Sequence, residues 1–254
     1  MLHLLIGTDW TRNRDAILAR LADDVHTRRE GRILMVPELI SHETERALCR
    51  FAGDTASRYA EVLSFTRLAR RAAEQAGSSA MECLDSGGRV VAMAAAARQL
   101  ASKLKAYAAV ETKPEFLTEL IDAVDEFKRC CITAQDLKVA AAQTEGSLAQ
   151  KLEELSLLME SYDALCSQGK RDPRDQMTWL LEQLEESDYA QTHVFYIDGF
   201  PDYTRQHLEI LEHLIQFSPS VTVSLNCDSI GSRQLAFEKA GQTASEIYRA
   251  AQRL

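Results

Sequence analysis

Five short apolar runs constrain the fold of this chain more than any other feature. They are Leu2–Ile6, Arg32–Val36, Glu61–Phe65, His193–Ile197 and Val221–Leu225. Their hydrophobicity is near-continuous rather than alternating, which suits strands covered on both faces of a parallel sheet. A helical pattern follows each of the first four: Arg12–Thr27, Ile40–Phe51, Thr66–Ala76 and Thr204–Phe217. Gly77 is a natural stop for the third, and Pro219 follows the end of the fourth. This alternation predicts an α/β fold with a parallel sheet.

The alternation breaks between Gly77 and Asp188, where no strand pattern is convincing. Successive helices are expected instead: Ser86–Tyr107, Pro114–Phe127, Ala134–Ala142, Ser147–Ser167 and Arg174–Glu186. The expected organisation is one α/β domain over 1–81 and 188–254, interrupted by an all-helical insertion over 82–187. The segment Thr243–Leu254 is helical in pattern but ends without a cap, so a chain cut from a longer protein is expected.

Composition narrows the function classes. The 254 residues carry a net charge of −9, whereas a free-standing nucleic-acid binder usually shows a basic excess. Any DNA contact is therefore local or shared with a partner. The six cysteines form no Cys-x-x-Cys pair and read as thiols of a reducing, cytoplasmic compartment. No apolar run approaches a membrane span, and the N-terminal apolar run reads as a strand rather than a signal peptide.

A strand, a glycine and a helix open many phosphate-binding folds, and here they are Leu2–Ile6, Gly7 and a helix from about Arg12. The phosphate-binding loop G-x-x-x-x-G-K-[ST] uses backbone N–H groups, a Lys and a hydroxyl to hold phosphate and magnesium. Counted from Gly7, Arg12 stands for the second Gly, Asn13 for the Lys and Arg14 for the Ser/Thr. Trp10 is bulky, and Asp9 places a carboxylate where an anion would sit. The loop is expected not to hold ATP, although Arg12 and Arg14 leave open a residual anion contact. Asp198 ends the apolar run His193–Ile197, where such a carboxylate holds magnesium or merely braces a loop; Gly199 follows in place of a catalytic Glu. At the third strand–helix junction, Ser64, Thr66 and Arg67 suit phosphate contact, and Phe65 either packs in the core or meets a base. A plain structural junction is the alternative.

In order along the chain, several blocks resemble the AddB family, the second subunit of the AddAB helicase–nuclease. They are Leu4–Gly7, Leu34–Leu39 with Glu45–Leu48, Val62–Arg70, Glu126–Cys130 with Asp136–Leu137, Leu152–Leu158, Tyr196–Phe200 with Leu208–Leu214, and Val221–Leu225. The resemblance implies a RecA-like P-loop NTPase fold related to superfamily 1 helicases, with the phosphate loop degenerate. It implies an inactivated helicase domain that scaffolds the complex and meets the Chi strand during double-strand break repair. An active ATPase with an atypical loop is the alternative. The implied partners are an AddA-type motor subunit and single-stranded DNA. The family's nuclease domain and iron–sulfur cysteines lie in a C-terminal region outside this chain, so no cofactor is expected here.

Overall fold

The computed structural model describes residues 1–78, 81–108 and 113–254. Contacts divide them into two compact units, Met1–Ser79 with Met177–Leu254, and Ala80–Gln176.

The first unit is an α/β layer structure. Its strands are β1 (Leu2–Gly7), β2 (Arg32–Met35), β3 (Ala60–Leu63), β4 (Val194–Ile197) and β5 (Val221–Asn226). They form one five-stranded sheet in the order β1-β5-β4-β2-β3, and every pairing is parallel. The helices of this unit are α1 (Trp10–His26), α2 (Ser41–Ala52), α3 (Phe65–Ala76), α8 (Gln176–Glu185), α9 (Tyr189–Thr192), α10 (Arg205–Phe217) and α11 (Glu238–Arg253). The other four are α4 (Ser86–Gln99), α5 (Pro114–Arg129), α6 (Ala134–Ala142) and α7 (Gly146–Cys166).

Side chains alternate across the sheet and assign its faces. Leu34, Val36, Val62 and Tyr196 pack with Ile17, Leu21 and Val25 of α1 and Leu48 of α2. Ile33, Met35, Leu63, Phe195 and Ile197, also buried, therefore point to the opposite face. The spacing of Ile17, Leu18, Leu21 and Val25 gives α1 one apolar stripe. From β2 the chain runs outward to β3, but from β4 it runs back to β5. Between β4 and β2 the connections thus diverge, and outside such strand ends open α/β sheets gather ligands.

The second unit is helical. Among its described residues there is no strand, and one isolated parallel bridge joins Cys83 to Arg171. Its apolar core takes Met93 from α4, Leu120 and Val124 from α5, Leu137 from α6 and Tyr162 from α7. A buried ionic network lies beside that core. Lys128 meets Asp175 at 2.6 Å, Asp163 at 2.9 Å and Asp172 at 3.4 Å. Arg89 pairs with Asp125 and with Asp172, and its Nε donates to the Tyr162 hydroxyl. Burial opposes the Lys128 charge, but the three carboxylates hold its pKa above the usual lysine range.

Several element boundaries differ from the sequence expectation. Phe65 starts α3 rather than ending β3, because Ser64 caps the helix there. The helix expected over Ser86–Tyr107 ends at Gln99. The buried Glu154 then accepts the backbone N–H groups of Lys105, Ala106 and Tyr107, each at 3.0 Å, and holds a non-helical turn. α11 begins before Thr243, and the short α9 had no periodic signal.

Candidate functional site

The loop from β1 to α1 is two residues long, Thr8 and Asp9, because α1 begins at Trp10 rather than near Arg12. Asp9 is the N-cap of α1. Its Oδ1 accepts from Thr11 N at 3.0 Å and Arg12 N at 3.3 Å. A bound phosphate would use such helix N-terminal N–H groups, and here a side-chain carboxylate takes them. Arg12, highly exposed, lies 3.5 Å from Asp9. Arg14 Nη1 reaches Glu43 at 3.4 Å.

Asn13 is buried and turned into the sheet. Its Nδ2 donates to the carbonyls of Gly7 and Leu225, both at 3.3 Å, and so ties the ends of β1 and β5 together. A Cβ on Gly7 would lie 2.4 Å from Asn13 Oδ1, so the close approach requires glycine. Asn226, with its amide turned to satisfy both of its groups, donates to Gly7 O at 3.0 Å and Thr8 O at 3.1 Å.

Asp198 follows β4 and is buried. Burial raises its pKa, against the hydrogen bonds that the carboxylate accepts from the Ser224 hydroxyl and the Gly199 N–H and against the nearby Arg14 charge. Gly199 takes a φ of +77°, and a Cβ there would meet Ile40 at 2.9 Å. Between these groups lies a cavity of about 250 Å³. Trp10, Ile40, Phe200 and Pro201 form its apolar walls; Asn13, Asp198, Ser224 and Asn226 supply polar groups, and Arg14 borders it. The structure therefore brings Gly7, Asn13, Arg14 and Asp198 together, while Arg12 stays outside the cavity.

The second candidate site is the β3–α3 junction. Ser64 caps α3 by accepting from Arg67 N at 3.3 Å, and its hydroxyl donates to Glu38. Phe65 is 5% exposed; its ring stacks on His207 at 4.3 Å and meets Phe200 edge-on at 5.3 Å. In this arrangement the ring belongs to the core. Thr66 lies in the first turn of α3. Arg67 is partly exposed and pairs with Glu45 at 3.0 Å. Arg67 and Arg71 border a groove of about 360 Å³ beside Val62 of the edge strand β3.

Sequence reasoning missed the bracing by Asn13 and the Phe65–His207–Phe200 stack. Asn13 carried a faint signal, as a polar residue at helical spacing with the apolar Ile17. The stack had none, because its members lie far apart in the chain. Among the described residues, no helix is long and apolar enough to cross a membrane.

Comparison with known proteins adds a family. The model of the family described as "ADDB, N-terminal" matches residues 4–254. The B-subunit of the ATP-dependent helicase/deoxyribonuclease of Thermoanaerobacter sp. (strain X514) is 33% identical over 199 residues, 78% of this chain and 17% of that protein. The protein of the same description from Listeria innocua serovar 6a is 25% identical over 224 residues, 88% of this chain and 19% of its own length. That from Anoxybacillus flavithermus is 27% identical over 236 residues, 89% of this chain and 20% of its own length. The chain thus spans no more than about a fifth of the length of these curated relatives.

Proposed function

The chain belongs to the AddB N-terminal family, and on that premise we propose that it forms an inactivated, RecA-like helicase domain within the second subunit of a helicase–nuclease. In this reading it processes double-strand DNA ends as part of a complex whose AddA-type subunit supplies the ATP-driven motor. Its own contribution is scaffolding and contact with the passing single strand, including the Chi strand. The reading places the degenerate helicase domain at 1–81 and 188–254 and the helical insertion at 82–187, whereas contacts group residues from Met177 onward with the sheet.

One observation carries the reading: the β1–α1 loop is two residues long and filled by its own side chains. Asp9 takes the helix N–H groups, and Asn13 spends its amide on the strand ends. A phosphate would have to displace a carboxylate from its N-cap and supply its own counter-charge. Asp198 becomes, in this reading, a brace between β4 and β5 rather than a magnesium ligand.

The strand path is proposed to run past the β3–α3 junction. Thr66 and Arg67 would contact phosphates there, which positions a strand without reading its sequence. Ser64 and Phe65 would act by fixing the shape of the junction. For Arg67, binding means exchanging Glu45 for a phosphate, so the contact is modest and salt-sensitive. Fluorescence anisotropy of a labelled single strand on the reconstituted two-subunit complex tests this. Arg67→Ala should weaken binding about equally for all sequences and flatten the salt slope by roughly one unit. Unchanged affinity and slope would leave the junction structural; a changed sequence preference would make it a reader of bases.

A further inference from the structure

The cavity beside the closed loop offers a recognition chemistry that phosphate does not use. Trp10 is 61% exposed at its rim, an unusual place for an indole with no structural task. Arg14 borders the cavity and is paired with Glu43 at 3.4 Å; the other polar groups opposite are acceptors. The amide nitrogens of Asn13 and Asn226 are both spent on backbone carbonyls, which leaves their oxygens. Asp198 adds a carboxylate, and the Ser224 hydroxyl is already committed to it. This lining offers phosphate only a guanidinium already paired with Glu43, and its acceptors suit a ligand that brings N–H donors. The volume of about 250 Å³ falls below the roughly 300–1,000 Å³ typical of drug-sized ligands, and so fits one ring system rather than a nucleotide.

We propose that this cavity binds a nucleobase carrying an exocyclic amino group, stacked on Trp10 with its N–H donors turned to Asp198 and Asn226. Stacking on an aromatic face accepts any base, and the acceptor lining selects amino-bearing ones over thymine. The base comes either from a free nucleoside or from a strand that presents it unstacked. An arginine side chain is the competing occupant. Arg14 at the border already sets a like charge beside that position. The inference rests on the reading that the cavity has lost ATP, and the titrants below separate the two.

The chain holds two tryptophans, and Trp179 is buried, so Trp179→Phe leaves Trp10 as the sole reporter. Its fluorescence is titrated with cytidine, adenosine, thymidine, argininamide, Mg-ATP, oligo-dC and oligo-dT. If that variant does not fold, calorimetry on the unaltered chain takes the same titrants. Cytidine and adenosine should bind saturably, with thymidine about ten-fold weaker, as one lost donor–acceptor match implies. Trp10→Ala, read by calorimetry, should weaken cytidine binding roughly five- to hundred-fold, the range that base–aromatic stacking spans. Oligo-dC competing with cytidine assigns a strand base, and cytidine alone binding assigns a free nucleoside; either supports the proposal. Thymidine equal to cytidine would mean bare stacking on an exposed indole, and displacement of cytidine by argininamide would mean a cation site; each overturns it. Mg-ATP binding tighter than adenosine would overturn the loss of the phosphate site. No response to any base, with Mg-ATP also silent, overturns the nucleobase assignment alone.

Discussion

Two strand-to-helix junctions open on the carboxyl edge of the sheet, and they are closed by different means. After β1, the capping group is the charged Asp9, and the brace is Asn13, four residues on. Every group that shuts this junction, apart from the accepting carbonyl of Leu225 and Asn226 beside it, comes from one short local segment. After β3, the cap is the neutral Ser64, and its supports arrive from elsewhere: Glu38 after β2, Glu45 on α2, and Phe200 and His207 around α10. The first junction fills its own helix N-terminus with a carboxylate. The second leaves a partly exposed arginine on an exchangeable carboxylate. In the proposed reading, the fold has lost a phosphate ligand at one strand end and keeps a usable cation at another.

The largest effect should separate the aromatic residues of the two junctions. Phe65→Ala is expected to cost ~3–5 kcal/mol, as for a buried ring truncated in a core. Trp10→Ala, at 61% exposure, should stay within ~0.5 kcal/mol. Urea unfolding measures both, and a Trp10 cost comparable to that of Phe65 would erase the contrast.

Next comes the tightness of the first junction. Gly7→Ala places a Cβ 2.4 Å from Asn13 Oδ1 and should cost ~1–3 kcal/mol by overpacking. Because the obstacle is a side chain, Gly7→Ala with Asn13→Ala should cost less than the two single changes added together. Strict additivity would show that Asn13 does not brace the loop.

Cap chemistry gives a smaller effect. Asp9→Ala should lose ~1 kcal/mol, and Asp9→Asn much less, since Asn caps about as well without the charge. Equal losses would mean that charge, not hydrogen bonding, closes this helix end.

The smallest effect is a pH response confined to the second junction. Burial lowers the His207 pKa, and its Nδ1 accepts from Thr204 N at 3.3 Å, which needs the neutral ring. The unfolded chain therefore binds the proton more tightly. Stability should fall as pH drops through the unfolded value of about 6.5 and continue falling toward the lower folded value. His207→Gln should flatten that part of a Tm-against-pH curve, and an unchanged curve would place the acid sensitivity elsewhere.

This contrast also sets what the sequence disclosed. The five strands were legible because near-continuous apolar runs have few other uses. The departure of the first loop from the phosphate-binding pattern was legible too, since Asp9, Asn13 and Arg14 sit at fixed offsets from Gly7. The stack of Phe65 on His207 joins residues on two different elements, and no local pattern announces it. The network around Lys128 was equally hidden: Asp163, Asp172 and Asp175 look like solvated surface until α5 and α7 come together. Ser64 misled at the boundary, because an N-cap keeps extended backbone and so resembles the end of a strand.

The closed first junction is tested most directly by titrating this chain with Mg-ATP in a calorimeter. The account predicts no saturable heat up to the millimolar range, because Asp9 already takes helix N–H groups that phosphate needs and the Asn13 amide is spent on strand carbonyls. A clear one-to-one isotherm at micromolar affinity would contradict it.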